Sequence, residues 1–167
     1  MGKPHGAASA DVPAFEDGDR LRRRLSTFLS SKCGTDVAIE RLSKFPAGFS
    51  WITYGAKVSG FAPAREVILR IGPPYGLFAP YSAMPEFDSL SALAGSRVPA
   101  PRVFFASDDP AILDAPFFIC ERVEGETPLP WGSQGQTMDS GQRETLAADF
   151  VDALASLHRL TGPRPRS

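Results

Sequence analysis

Residues 44–54 have the sequence KFPAGFSWITY, and residues 66–74 have the sequence EVILRIGPP. The first stretch is typical of a turn of small residues that leads into a strand, and the second of a strand that ends at two prolines. Gly48 has no Cβ and can adopt positive φ, so the backbone N–H groups of this turn can approach an anion. The turn is a candidate phosphate-binding loop, although most short turns that contain glycine only connect strands.

Alternation along the second stretch places a basic side chain away from the apolar face of the predicted strand. Three apolar residues share one face, Val67, Leu69 and Ile71. Ile68 and Arg70 lie together on the other face. If the first face is the core, the second presents an apolar residue beside a cation. Such a surface suits a ligand with a flat apolar base and a charged tail.

The helix predicted at residues 85–94 places a carboxylate among apolar side chains. Glu86, Leu90 and Leu93 are spaced i, i+4 and i+7, so they share one face. A carboxylate on an apolar face is costly unless a cation pairs with it, and Arg70 is the natural candidate. The alternative is that Glu86 only stabilises the helix N-terminus through the helix dipole.

The remaining pattern predicts an α+β domain. Helical spacing predicts a first helix from residue 19, with Asp17 or Asp19 near its start and Gly34 at its end. It also predicts a last helix at residues 141–160, where Asp139 and Gln142 resemble a capping box. Alternation predicts five strands, at residues 37–42, 51–58, 66–71, 102–106 and 116–123, the last two joined by a turn at residues 107–110. We expect a flexible arm at 1–17, one domain at 18–125, a linker at 126–138, a helix at 139–160 and a tail at 161–167.

Composition argues against several classes of function. The chain has 167 residues and a formal net charge of −1, so no basic field indicates nucleic acid as a partner. Cys33 and Cys120 are far apart and lack CxxC spacing, so neither a disulfide framework nor a zinc site is expected. No apolar run approaches the roughly 20 residues that cross a bilayer. We therefore expect a cytoplasmic protein without a membrane partner.

The order of these elements resembles the smaller lobe of a kinase and, more narrowly, the aminoglycoside phosphotransferase family in the branch that occurs fused to acyl-CoA dehydrogenases. The family's glycine-rich motif is approximately Gly-Gly-x-Ser-Asn-x-Thr-Tyr. Residues 47–54 match it at four positions and depart from it at Ala47 and Trp51. Four other stretches are similar to family motifs: the Val-Leu-Arg strand with Arg70 in place of the usual kinase Lys, the VPAP connector at 98–101, PFFICERVEG at 116–125 and LASLH at 154–158.

The resemblance implies a fold and a set of phosphate contacts. The fold would be a protein-kinase-like small lobe, with a five-stranded antiparallel sheet, one packed helix, an N-terminal helix, and a C-terminal helix that begins a large lobe. Gly48 and Ser50 would cover the nucleotide phosphates. Arg70 would hold the α and β phosphates, steadied by Glu86.

The resemblance also implies contacts to the adenine. Tyr54 and Ile68 would line the base, and the backbone from Glu121 to Val123 would bond its edge. Cys120 would lie at the back of the pocket, although a small buried apolar residue has the same signature. The cofactor would be ATP, with Mg²⁺ held through the large lobe.

The sequence has no counterpart of the family's His-Gly-Asp catalytic loop, so no residue is assigned as catalytic or as a metal ligand. One interpretation is the N-terminal ATP-binding lobe of a small-molecule kinase, inactive alone, whose acceptor the sequence does not specify. The alternative is a stand-alone nucleotide-binding or protein-interaction module. In that case a stripe on the last helix would dock on a partner or a second copy, and it comprises Leu146, Phe150, Leu154 and Leu157.

Overall fold

The computed structural model describes residues 16–46, 50–73, 80–125 and 138–160. The strands within these ranges are β1 (Ala38–Lys44), β2 (Ile52–Ser59), β3 (Glu66–Ile71), β4 (Val103–Ser107) and β5 (Phe117–Glu121). The helices are α1 (Gly18–Cys33), α2 (Met84–Ala92), α3 (Pro110–Leu113) and α4 (Ser140–His158). Gly48, most of the predicted arm, nearly all of the predicted linker and the predicted tail lie outside the described residues.

The strands form one antiparallel sheet in the order β1-β2-β3-β5-β4. This architecture confirms the fold class predicted from the sequence. β5 lies between β3 and β4, and all but its last residue are buried. Successive side chains of β5 are buried on both faces of the sheet, which accounts for the apolar residues on each face.

Helix α1 covers one face of the sheet. Its N-terminus is capped by the Asp17 side chain, which accepts hydrogen bonds from the N–H groups of Asp19 and Arg20. Gly34 ends the helix with φ of 66°, as the sequence predicted. The buried side of α1 consists of Leu21, Leu25, Phe28 and Leu29.

The core lies between α1 and the sheet face that carries Val67, Leu69 and Ile71, all with 0% exposure. This confirms that the apolar face of β3 points into the core. Ile68 and Arg70 therefore lie on the opposite face of the sheet, each partly exposed.

The turn predicted between β4 and β5 contains the short helix α3. Asp109 caps it, because its carboxylate accepts a hydrogen bond from the N–H of Ala111, and Pro110 occupies the first turn. Asp114 ends α3 in the left-handed conformation and pairs with Arg24 of α1 at 2.6 Å. The sequence pattern did not predict this helix, because a four-residue segment is too short to show helical periodicity.

The chain divides into two compact units, the first formed by Met1–Asp88 with Val103–Arg122 and the second by Ser89–Arg102 with Val123–Ser167. In the second unit, α4 begins with the predicted capping box: the Asp139 carboxylate accepts from the Gln142 N–H, and the Gln142 side chain accepts from the Asp139 N–H. Among the described helices, none is both long and apolar enough to cross a membrane. The domain boundaries drawn from the sequence stay predictions.

Candidate functional site

The ion pair between Arg70 and Glu86 joins β3 to the first turn of α2. The Glu86 carboxylate accepts a hydrogen bond from Nη1 of Arg70. The two side chains are 30% and 35% exposed, so solvent and ligands can reach them. Glu86 therefore pairs with the cation that the sequence indicated, rather than acting on the helix dipole alone.

Two aromatic rings flank the same guanidinium. The guanidinium carbon of Arg70 lies 5.6 Å from the centroid of the Trp51 ring and 5.4 Å from that of Phe118. The two rings meet edge to face, with centroids 5.6 Å apart and an interplanar angle of 79°. We call Trp51 and Phe118 the aromatic corner. Both distances to the guanidinium are within the range of cation–π attraction.

A pocket of about 380 Å³ opens beside this cluster. Its walls include Arg70, Glu86, Trp51, Ser50 and Tyr81. The pocket thus combines a cation, a hydroxyl group and aromatic surfaces. A phosphate group could bind there through charge-assisted hydrogen bonds from the guanidinium.

Tyr81 reaches the site because of a glycine. A Cβ on Gly72 would lie 2.7 Å from the Cβ of Tyr81, so only glycine leaves room for this approach. The Tyr81 ring packs edge to face on Trp51, with centroids 5.5 Å apart. Gly72 also donates its N–H to the carbonyl of Pro116 at 2.8 Å, which ties the end of β3 to the start of β5.

An apolar row lies next to Arg70 on the same face of the sheet. Strand register aligns Gly55, Ile68 and Cys120 across β2, β3 and β5. The Phe45 ring covers this row at β2, because a Cβ on Gly55 would lie 3.2 Å from its edge. The neighbouring row aligns Arg70 with Thr53 and Phe118. An apolar surface and a cation are therefore adjacent, as alternation along β3 predicted.

Tyr54 is absent from this surface, so the prediction that it lines a base together with Ile68 is wrong. Register pairs Tyr54 with Leu69, which places both on the α1 side of the sheet. Tyr54 is 6% exposed and belongs to the core. Burial raises the pKa of its hydroxyl, with a smaller contribution from Glu16. Phe45, which the sequence analysis did not single out, takes a place on the Ile68 face instead.

Cys120 is 5% exposed and lies across from Ile68. Burial raises the pKa of its thiol to about 11, while the positive charge of Arg70 opposes the shift. The thiol is therefore protonated at neutral pH and acts as an apolar wall. This position agrees with both interpretations of the residue, as the back of a pocket and as a small buried side chain.

Ser50, Glu121 and Val123 are the remaining predicted residues that the structure describes. Ser50 is half-buried and lines the pocket near Arg70. Glu121 is half-buried at the end of β5, and Val123 beyond it is 67% exposed. In the part of the chain that the structure describes, no group of three or more His, Cys, Asp or Glu side chains is suited to hold a metal ion.

No pattern in the sequence indicated Tyr81, and Trp51 was notable only as a departure from a motif. Phe118 could have been found, because strand alternation places it two residues from Cys120 on the same face of β5. Tyr81 comes from the segment between β3 and α2, where neither periodicity nor spacing applies. Its contact with Gly72 exists only in the folded chain.

Comparison with known proteins gives three findings. Residues 45–167 match the family model described as Phosphotransferase enzyme family (APH). A curated protein of Arabidopsis thaliana, "Probable acyl-CoA dehydrogenase IBR3", is 32% identical over 124 residues, which cover 71% of this chain and 14% of that protein. A crystal structure of a "putative aminoglycoside phosphotransferase" from Ralstonia eutropha JMP134 superposes with a TM-score of 0.61 at 19% identity.

The structural match covers 83% of this chain and 38% of the solved one, and at this identity it shows the fold alone. The matched part of this chain thus spans about one-seventh of the curated protein and somewhat more than one-third of the solved one. Together the three findings confirm the resemblance drawn from the motifs, including the branch fused to acyl-CoA dehydrogenases.

Proposed function

Because this chain belongs to the phosphotransferase enzyme family, we propose that it supplies the ATP-binding part of a kinase that phosphorylates a hydroxyl group of a small molecule. The adenine would lie against the apolar row, and the phosphates would lie at Arg70. Mg²⁺ would accompany the phosphates, as phosphoryl transfer requires.

One observation carries this proposal: the pairing of Arg70 with Glu86 beside an apolar row on a single face of the sheet. A nucleotide has a flat apolar base at one end and a polyanion at the other. The row formed by Gly55, Ile68 and Cys120 offers the base an apolar surface. Arg70 offers the phosphates a guanidinium that is always charged and can bind two oxygens at once.

The chemical step needs groups that these residues do not provide. A carboxylate must orient the acceptor hydroxyl, and acidic or amide side chains must hold Mg²⁺. The sequence has no His-Gly-Asp motif. In this proposal those groups come from outside the 167 residues, and the chain by itself binds nucleotide without transferring phosphate.

Isothermal titration calorimetry with ATP and Mg²⁺ tests the proposal. The unsubstituted chain is expected to bind saturably, and Arg70→Ala to weaken binding about 10- to 100-fold, because a hydrogen bond to a charged group contributes about 1.5–3 kcal/mol. Arg24→Ala is a matched control. Arg24 is also paired with a carboxylate, that of Asp114, and is similarly exposed, but it belongs to α1 on the other side of the sheet.

Equal affinity of Arg70→Ala and the parent would contradict the proposed phosphate contact. The absence of any binding by the parent would contradict the proposed function itself. An assay of ADP formation with candidate hydroxyl acceptors completes the test, and phosphoryl transfer to an acceptor by this chain alone would overturn the claim that it lacks the transfer step.

A second candidate function rests on α4. Four apolar residues of the predicted stripe are exposed to between 42% and 69%, and they are Leu146, Phe150, Leu154 and Leu157. Such a face favours docking on a protein partner or on a second copy of the chain. Sedimentation velocity of the parent and of Phe150→Ser tests this function. A dimer that the substitution abolishes would support it, and a monomer at all concentrations would count against self-association.

A further inference from the structure

We propose that Trp51 is a positioning residue, which together with Phe118 holds the Arg70 guanidinium in place to receive a nucleotide phosphate. The part of this statement that concerns the phosphate rests on the function proposed above. The part that concerns Arg70 rests on the structure of the cluster alone. The position matters because Trp51 departs from the family's glycine-rich motif.

Trp51 comes directly before β2, and strand alternation places it on the same face as Thr53, which pairs with Arg70. Phe118 pairs with Arg70 from the other side, in β5. The guanidinium therefore lies between neighbours on both adjacent strands. Its distances of 5.6 Å and 5.4 Å to the two ring centroids place it in the aromatic corner.

The corner restricts a side chain that is otherwise flexible. A free arginine side chain samples many rotamers, and a ligand that orders it must overcome the entropy cost of selecting one. Two rings and one carboxylate already select one orientation of Arg70 before any ligand binds. A planar guanidinium can stack on ring faces, whereas a lysine ammonium is a compact, strongly hydrated charge. The aromatic corner thus gives a physical reason for arginine at this position.

The ion pair leaves the guanidinium able to bind more than one group. Arginine has five N–H donors, and Glu86 accepts from Nη1. A phosphate can therefore engage other N–H groups while Glu86 stays in place. Trp51 and Arg70 both line the 380 Å³ pocket, so a phosphate there would contact the guanidinium beside the indole.

Trp51 is itself held by the fold. Tyr81 packs on it edge to face, and Gly72 makes room for Tyr81. A chain of contacts thus links Gly72 to Tyr81, Tyr81 to Trp51, and Trp51 to the guanidinium of Arg70. If Trp51 only filled space, its substitution would lower stability, and its effect on ATP affinity would be the same whether or not Arg70 is present.

A double-mutant cycle separates positioning from packing. ATP affinity is measured for the parent, Trp51→Leu, Arg70→Ala and the double variant. Trp51→Leu keeps apolar bulk but removes the ring, and we expect it to weaken binding about 3- to 30-fold. In the Arg70→Ala background the same substitution should change affinity less than about twofold, because no guanidinium remains to be positioned. Phe104→Leu, which removes an edge-to-face ring contact with Phe61 instead, is the packing control.

A second measurement needs no nucleotide. The Nε–Hε group of Arg70 gives a nuclear magnetic resonance signal, which the Arg70→Lys variant identifies by its loss. Ring currents from the aromatic corner should shift this signal upfield in the parent chain. Trp51→Leu should move it toward the position of a free arginine, whereas Phe104→Leu should leave it unchanged.

The outcomes are distinguishable. An equal loss of ATP affinity from Trp51→Leu in both backgrounds, or an unshifted Arg70 signal in the parent, would overturn the inference. If the parent binds no ATP, the proposed function fails, and the resonance of Arg70 alone decides whether Trp51 positions it. An upfield-shifted Arg70 signal, together with a loss of ATP affinity from Trp51→Leu that occurs only when Arg70 is present, supports both the proposed function and the positioning role of Trp51.

Discussion

Arg70 and Glu86 are 16 residues apart, yet their side chains form an ion pair between the middle of the sheet and the first turn of α2. Because both side chains remain about one-third exposed, the pair is expected to stabilise the fold by no more than about 1 kcal/mol. The pair has a larger effect on the orientation of the Arg70 side chain than on stability. Glu86 and the aromatic corner together fix a guanidinium beside an apolar surface.

The substitution Glu86→Gln separates these two effects. We expect the free energy of unfolding to fall by less than about 1 kcal/mol, since the pair is solvent-exposed. We expect ATP affinity to fall about 3- to 10-fold, because Arg70 would lose the carboxylate that orients it. Urea unfolding and calorimetry measure the two quantities. Glu40→Gln, which breaks an exposed pair between Glu40 of the edge strand β1 and Lys57 of β2, is the control and should leave affinity unchanged.

A glycine remote from Arg70 should affect stability alone. Gly60 has φ of +77°, and a Cβ there would lie 2.0 Å from the carbonyl oxygen of Asp36. Gly60→Ala should therefore destabilise the chain by more than about 2 kcal/mol, from backbone strain and from the forced displacement of Asp36. Thermal unfolding measures this loss. A variant as stable as the parent would show that the connection between β2 and β3 can rearrange freely.

Removal of the Tyr81 hydroxyl is expected to stabilise the chain, in contrast to the substitution of Gly60. Among the residues that the structure describes, it is the buried side-chain oxygen that lacks a hydrogen-bond partner. Removing an unsatisfied buried hydroxyl relieves a desolvation cost of about 1–3 kcal/mol. Tyr81→Phe should thus raise the melting temperature while keeping the ring contact with Trp51. A lower melting temperature would mean that the hydroxyl makes a stabilising bond in solution.

Cys120 should be an unreactive thiol in the folded chain. Burial raises its pKa to about 11, and only the thiolate is nucleophilic. In a Cys33→Ser variant, which leaves Cys120 as the remaining cysteine, alkylation by iodoacetamide at about pH 8 should be about 100-fold or more slower than in denaturant. Mass spectrometry follows the reaction. Rapid labelling of the folded chain would show that the thiol is open to solvent.

The same pKa predicts how stability depends on pH. In the unfolded chain the thiol ionises near pH 9.0, so between about pH 9 and 11 the folded state binds more protons than the unfolded one. The contribution of Cys120 to stability is therefore complete below about pH 9 and is lost as the pH rises through about 11. Urea unfolding of the parent and of Cys120→Ala between about pH 8 and pH 11 measures this contribution as the difference between their free energies of unfolding. The advantage of the parent over Cys120→Ala should shrink as the pH rises.

Much of the fold was predictable because its causes are local. Asp17, Gly34 and the Asp139–Gln142 box act within a turn of the helix that they cap, so their residue types alone identify the helix ends. Alternation along β3 likewise separated Ile68 and Arg70 from the core, because successive side chains of any strand point to opposite faces. Helix α3 escaped prediction because its four residues provide too few positions for a period to appear.

The sequence by itself therefore determined the helix caps, the two faces of β3, the family, and the presence of an arginine and a glutamate that pair in the fold. Only the tertiary structure decided which side chains surround them. The register between β2 and β3 places Tyr54 in the core, and the register between β3 and the distant strand β5 places Phe118 beside Arg70. Close approach at Gly72 brought Tyr81 onto Trp51, and such contacts depend on distances between segments that no local pattern encodes.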